Sequence, residues 1–194
     1  MPLVVSAREH GPVEHPREEL ATGPVTLRRW RADDRDPLHR AVNEAIHTLR
    51  PWLPWVANGY DLDAAEQFLA HAEAGWNSGE EFDYAVTLDG AIVGGVGLMR
   101  RIGPGGLEIG YWLHPDHTGQ GIITRAVAAL VDEAFALPYV DHLQIRHDRA
   151  NTASSGIPRR LGFTEAEHRP KAPECPSQSG VEVVWEHRKP DALS

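Results

Sequence analysis

Hydrophobic spacing along the chain switches between a two-residue and a helical period, and the switches mark its elements. "VTLRRW" (25–30) alternates well enough for a strand. "ADDRDPLHRAVNEAIHTL" (32–49) has acidic residues early and Leu38, Val42 and Ile46 at four-residue spacing, which predicts a helix. "RPWLPWV" (50–56) cannot continue it, because Pro51 and Pro54 break the hydrogen-bond ladder. A second helix is predicted over 61–79, where Asp61 or Asp63 can cap and Ala65, Phe68, Leu69, Ala72 and Trp76 share a face. "FDYAVTL" (82–88) and "AIVGGVGLMRR" (91–101) read as strands around Asp89-Gly90, a two-residue hairpin signal. After the turn "IGPGG", "LEIGYWL" (107–113) completes an antiparallel meander.

From 122 to 135, Ile122, Ile123, Ala126, Val127, Leu130, Val131, Ala134 and Phe135 form a core-facing helical stripe. "YVDHLQIRH" is a strand, a short helix starts at Asn151, and "VEVVWEHR" (181–188) is the last strand, with one more strand open near 164–169. The order βααβββαβαβ predicts one α+β domain over 23–190 with mixed sheet pairing. Residues 1–22, rich in Pro, Glu and His and without a period, are expected to be a flexible tail, and 191–194 a short C-terminal one.

Composition narrows the function. With 194 residues, 41% hydrophobic, the chain can bury a normal core. A net charge of −9 argues against a nucleic-acid partner held by phosphate contacts. The single Cys175 rules out an internal disulfide and any multi-cysteine metal site. Eleven histidines raise the question of a metal, but His114, His117, His142 and His147 lack helical ligand spacing, so none is expected. No run reaches the ~20 apolar residues of a membrane span, and the N-terminus lacks signal-peptide order. A soluble cytoplasmic protein without a membrane partner is expected.

"HPDHTGQGIITRA" (114–126) carries the chemistry, because it is a glycine turn opening directly into a helix. Three readings compete. One is a plain strand–turn–helix corner. The second is a dinucleotide fingerprint on Gly119, Gly121 and Thr124; it lacks its third glycine and follows hairpins rather than a βαβ unit. The third is a pyrophosphate cradle, in which N–H groups of residues 119–123 face the anion, aided by roughly +0.5 charge at the helix start.

Context favours the third, and here the chain resembles the GNAT superfamily of acyl-CoA N-acyltransferases, in particular its RimJ/RimL-like branch. The resemblance rests on "EIGYWLHPDHTGQGIITRAVAALVDEAF" (108–135) and "NTASSGIPRRLGF" (151–163), supported by "TLRRWRADD" and "RPWLPWV". It spans about residues 24–189. The family's pyrophosphate motif, Gln/Arg-x-x-Gly-x-Gly/Ala, falls on Thr118, Gly119, Gln120, Gly121, Ile122 and Ile123, and only Gly121 matches a defined position.

The resemblance implies a mixed central β-sheet flanked by helices on both faces and acetyl-CoA as co-substrate. It implies a cofactor-binding turn over Thr118–Thr124, with the strand backbone around Tyr111, Trp112 and Leu113 beside the pantetheine arm. Asn151 would lie near that arm, and Ser154 or Ser155 would contact CoA or protonate the departing thiolate. Asn151 also reads as a helix cap. The implied reaction is direct attack by a primary amine in a ternary complex.

The residues themselves add a base and an acceptor wall. Alternation puts Glu108, Gly110 and Trp112 on one strand face, where Glu108 can take a proton or can simply face solvent. The N–H of Leu113 or its neighbour can polarise the acyl carbonyl. Trp52, Trp55 and Trp76 pack the core or wall an acceptor pocket. An acidic protein suits a cationic amine, whether a protein N-terminus or a small molecule. Three alternatives stay open: a non-catalytic module that binds acyl-CoA or a partner, a different acyl group such as succinyl, and a homodimer.

Overall fold

The computed structural model describes residues 14–190. The elements are β1 (Glu19–Thr22), β2 (Val25–Arg29), α1 (Arg35–Leu49), α2 (Leu62–Ser78), β3 (Glu81–Leu88), β4 (Ala91–Met99), β5 (Gly106–Leu113), α3 (Ile122–Ala136), β6 (His142–Asp148), α4 (Thr152–Arg160), β7 (Thr164–Pro170) and β8 (Val181–Arg188). One eight-stranded sheet runs β1-β2-β3-β4-β5-β6-β8-β7. Every neighbouring pair is antiparallel except β5 and β6.

Helices cover both faces, and α1, α2 and α3 each contribute a stripe that the sequence spacing foretells. On one face α3 buries Ile122, Ala126, Val127, Leu130 and Ala134 against Leu27, Leu98, Leu107 and Ile109. On the other, α1 and α2 bury Leu38, Val42, Ala45, Ala65, Leu69 and Ala72 over Ala85. Asp61 caps α2 by accepting from the Ala64 N–H at 2.8 Å. Asp89 and Gly90, with φ of 50° and 82°, make the tight β3–β4 turn, whose two left-handed positions match the strand twist.

Two differences from the sequence reading concern the chain's start and its third acceptor tryptophan. Residues 19–22 are not tail. They pair with β2 in register Glu19↔Arg28 to Thr22↔Val25, and Leu20 is buried. A four-residue strand with one inward apolar side chain shows no period, so only its partner reveals it. Residues 14–18 are described and carry no helix or strand, while 1–13 and 191–194 of the expected tails lie outside the described residues. Trp76 is not an acceptor wall. It is 1% exposed, packs edge-on against Phe82 and Tyr84, and donates its indole N–H to the Asp83 carbonyl at 3.0 Å.

Candidate active site

The only parallel pair among the described residues sets the site. β5 and β6 are paired from Gly106↔His142 to Ile109↔Ile145 and no further, although β5 runs on to Leu113 and β6 to Asp148. The strands splay there and leave a cleft through the sheet. Beside it lies a cavity of about 800 Å³.

The cavity floor is the sheet face opposite α3, and it is charged. Asp83, Glu108, Arg146, Asp148 and Glu182 line it, with Gly97 and Gly110 between them. Trp52, Trp55, Tyr60 and Trp112 form an aromatic wall, in which Trp55 meets Tyr60 and Trp112 edge-on at 5.6 and 6.4 Å. Asn151 and Ser154 close the end towards α4. Six carboxylates and three Lys or Arg side chains line the whole cavity, so its field favours a cation.

Glu108 does not face solvent. It is 5% exposed and accepts two hydrogen bonds from Arg101, at 2.9 and 2.6 Å, with the Arg146 guanidinium 3.4 Å away. Arg101 thus belongs to the cavity, whereas Arg100 stacks over the Tyr139 ring at 4.0 Å. Tyr111 donates to the Ser154 carbonyl at 3.0 Å and ties β5 to α4. Burial raises the Tyr111 phenol well above its usual range, so it stays protonated. Burial also pushes Glu182 up, but hydrogen bonds from Lys171 and Arg169 outweigh that and hold it below the usual carboxylate range. Asp83 is half-buried. Burial and the like charge of Glu81 push its carboxyl up to about 7, against the pull of His71 and Arg101.

The glycine turn stands apart from the cavity lining, at the head of α3. Gly119 and Gly121 have φ of 72° and 74°, left-handed conformations in which a side chain is strained. Gly121 is the N-cap, with no side chain capping the helix and no acidic residue in its first turn. The first N–H groups of α3 therefore remain for an anion. Thr118 is exposed and its hydroxyl donates to the Pro115 carbonyl at 2.8 Å, while Gln120 donates to the Asp116 carbonyl at 3.0 Å. Ile122 is buried, and Ile123 packs on the core on the α3 side of the sheet. A Cβ on Gly121 would lie 4.0 Å from Arg125 Nε, which puts a cation beside the turn.

The structure thus gathers Glu108, Tyr111, Trp112, Asn151, Ser154, Trp52 and Trp55 around one cavity. Leu113 instead packs towards α3, and Ser155 lies outside the lining, its hydroxyl bonded to the Thr152 carbonyl at 2.8 Å. Asn151 does cap α4, accepting from the Ser154 N–H at 3.3 Å. Asp83, Arg125, Arg146 and Glu182 were not singled out from sequence. Their only local signal is a polar residue at an alternating strand position or at a first helical turn. Among the described residues, no group of three or more His, Cys, Asp or Glu is placed to hold a metal ion, and no helix is long and apolar enough to cross a membrane.

A mixed sheet that splays at its one parallel pair, with an uncapped glycine turn at the head of the next helix, defines an acyl-CoA acyltransferase architecture. The acetyltransferase (GNAT) domain model matches residues 25–164, and the chain belongs to that family. Its activity is accordingly acetyl transfer from acetyl-CoA. Bacillus subtilis (strain 168) YdaF, named provisionally as a ribosomal N-acetyltransferase, is 25% identical over 144 residues, 73% of this chain and 78% of its own. Among solved structures, the microcin C7 self-immunity acetyltransferase MccE with acetyl-CoA and AMP shares the fold at a TM-score of 0.80 and 19% identity, covering 86% of this chain and 93% of that one. RimL, the ribosomal L7/L12 α-N-protein acetyltransferase, with coenzyme A, is similar at a TM-score of 0.80 and 20% identity, covering 86% and 95%.

Proposed function

We propose that the protein acetylates a cationic primary amine, a protein N-terminal α-amine or a small-molecule amine, by direct attack on acetyl-CoA in a ternary complex in the cytoplasm. The observation that carries this is the excess of carboxylates beside an aromatic wall at the β5–β6 splay. Such a pocket concentrates an ammonium and holds its carbon stem. The name of RimL, an α-N-protein acetyltransferase, favours the protein N-terminus, and that of YdaF a ribosomal acceptor. Chemistry agrees: at pH 7 freeing an α-amine of its proton costs about 1 kcal/mol, against about 4.6 kcal/mol for a lysine.

In this reading the backbone of Gly119, Gln120 and Gly121 and the first N–H groups of α3, at Ile122, Ile123 and Thr124, cradle the pyrophosphate. Arg125 supplies the charge that Thr118 lacks. The β5 edge from Tyr111 to Leu113, released from β6, takes the pantetheine amides, and a backbone N–H there polarises the carbonyl. Asn151 borders the arm, and Ser154 returns a proton to the thiolate. Trp52 and Trp55 hold the acceptor.

The test combines binding and turnover. Calorimetric titration with acetyl-CoA should give micromolar affinity in the wild type. Gly121→Glu should weaken it roughly 30- to 100-fold, because it adds left-handed strain and a repelling carboxylate. Thiol release should then depend on a free α-amine, so that a serine-initiated tetrapeptide reacts and its N-acetylated form does not. Equal release with the blocked peptide would overturn the amine-acceptor reading.

A further inference from the structure

We propose that Asp83 is the base that takes the proton from the acceptor ammonium. The assignment rests on the acetyl-transfer reading above and names a catalytic residue within it. Asp83, Gly97 and Gly110 form one lateral row across β3, β4 and β5. All three line the cavity, and two carry no side chain. The Asp83 carboxylate leans over its neighbour, since a Cβ on Gly97 would collide with Asp83 Oδ1. It therefore stands about one strand spacing, roughly 4.8 Å, from Gly110. Gly110 is the first β5 residue beyond the last β5–β6 pair, so the cleft that would receive the thioester opens there. A gap of that order holds one amine nitrogen, hydrogen-bonded to the carboxylate on one side and facing the carbonyl carbon on the other.

Glu108 lies nearer the cleft but is committed. Taking a proton there means breaking a charge-assisted bond to Arg101 or displacing Arg146. Asp83 has no such partner: among the described residues, none hydrogen-bonds to its carboxylate. The charged groups facing it are Glu81 on its own strand, His71 of α2 (itself bonded to Glu81), Arg101 after β4, Glu108 on β5 and Arg146 on β6. Burial and Glu81, against the pull of His71 and Arg101, bring the carboxyl to about 7. An α-ammonium near 8 passes its proton to such a group against about a tenfold equilibrium, compared with roughly 10⁴-fold for an ordinary aspartate.

The step balances without a further reactant. The ammonium N–H bond breaks and an O–H bond forms on Asp83. The freed lone pair makes the C–N bond as the C–S bond breaks, Ser154 protonates the thiolate, and a second nitrogen proton replaces the one Ser154 gave. Asp83 then returns its proton to solvent, leaving the acetylated amine, CoA thiol and one released proton.

The experiment follows kcat/KM for a serine-initiated tetrapeptide with a free α-amine across pH, at saturating acetyl-CoA, in wild type, Asp83→Asn, Gly97→Ala and Glu108→Gln. Wild type should rise with pH through about 7. Asp83→Asn should fall about 100-fold near pH 6.5, follow the amine's own ionisation near 8, and recover part of the loss at higher pH. Gly97→Ala, which displaces the carboxylate without removing it, should lose activity in the same pH-dependent way. Acetyl-CoA affinity by calorimetry should stay unchanged in both. A loss in Asp83→Asn that is uniform across pH, or a limb near 7 that disappears only in Glu108→Gln, would overturn the Asp83 assignment and leave the acetyl-transfer reading standing. A wild type that binds acetyl-CoA yet acetylates no amine would overturn both.

Discussion

Arg17 and Glu133 lie 116 residues apart and are joined by three hydrogen bonds of 2.7 to 2.8 Å, one from the Arg17 backbone N–H and two from its guanidinium. They fasten the segment that leads into β1 to the last turn of α3. Burial raises the Glu133 carboxyl, but the Arg17 hydrogen bonds and charge outweigh it and hold the pKa below its ordinary 4.5. A folded-state pKa below the unfolded one contributes stability that is present above about 4.5 and lost as pH falls through the folded value. Glu133→Gln should therefore lower the thermal midpoint by about 2–4 °C at pH 7. The two midpoints should converge in acid, and a scan of midpoint against pH checks this.

Trp76 predicts a stability effect separate from function. Its side chain is 1% exposed and bonded to the Asp83 carbonyl, so Trp76→Ala leaves a large cavity and an unpaired carbonyl. The expected loss is about 3–5 kcal/mol in denaturant unfolding. Trp76→Phe, which keeps most of the volume, should lose far less.

Arg125 reports on the pyrophosphate cradle. Its guanidinium borders Gly121 from an exposed position, so Arg125→Ala should fold normally. Acetyl-CoA affinity should fall about three- to tenfold, as for one charge-assisted contact partly screened by water. The difference should narrow as salt is raised, which calorimetry at two ionic strengths resolves.

Trp55 reports on the acceptor. It is 46% exposed and contacts Tyr60 and Trp112 edge-on, so truncation should cost little stability. Trp55→Ala should raise the KM for the peptide amine about tenfold and leave the KM for acetyl-CoA unchanged. Initial-rate kinetics with each substrate varied in turn separates the two.

Local patterns carried most of the fold. The α2 stripe and its Asp61 cap, the Asp89-Gly90 turn, the β3–β5 meander and the start of α3 at Gly121 are all signalled by residues within a few positions of one another. Glu108 was reached from strand alternation and Asn151 and Ser154 from motif resemblance; that all three line one cavity is decided by the fold. Ser155 was separated from Ser154 only by the turn of α4, which aims the two hydroxyls differently.

By itself the sequence determined the order of the elements other than β1 and β7, the helical faces and the glycine turn, because each depends on the period or dihedral preference of neighbouring residues. Strand registry and long-range pairing decided the rest. β1 exists because β2 accepts it, Glu108 is committed because Arg101 and Arg146 reach it, and Asp83 meets the cleft because Gly97 and Gly110 align beside it. The two glycines matter by lacking side chains at one lateral row. That alignment is a property of three strands together, and no single stretch of chain contains it.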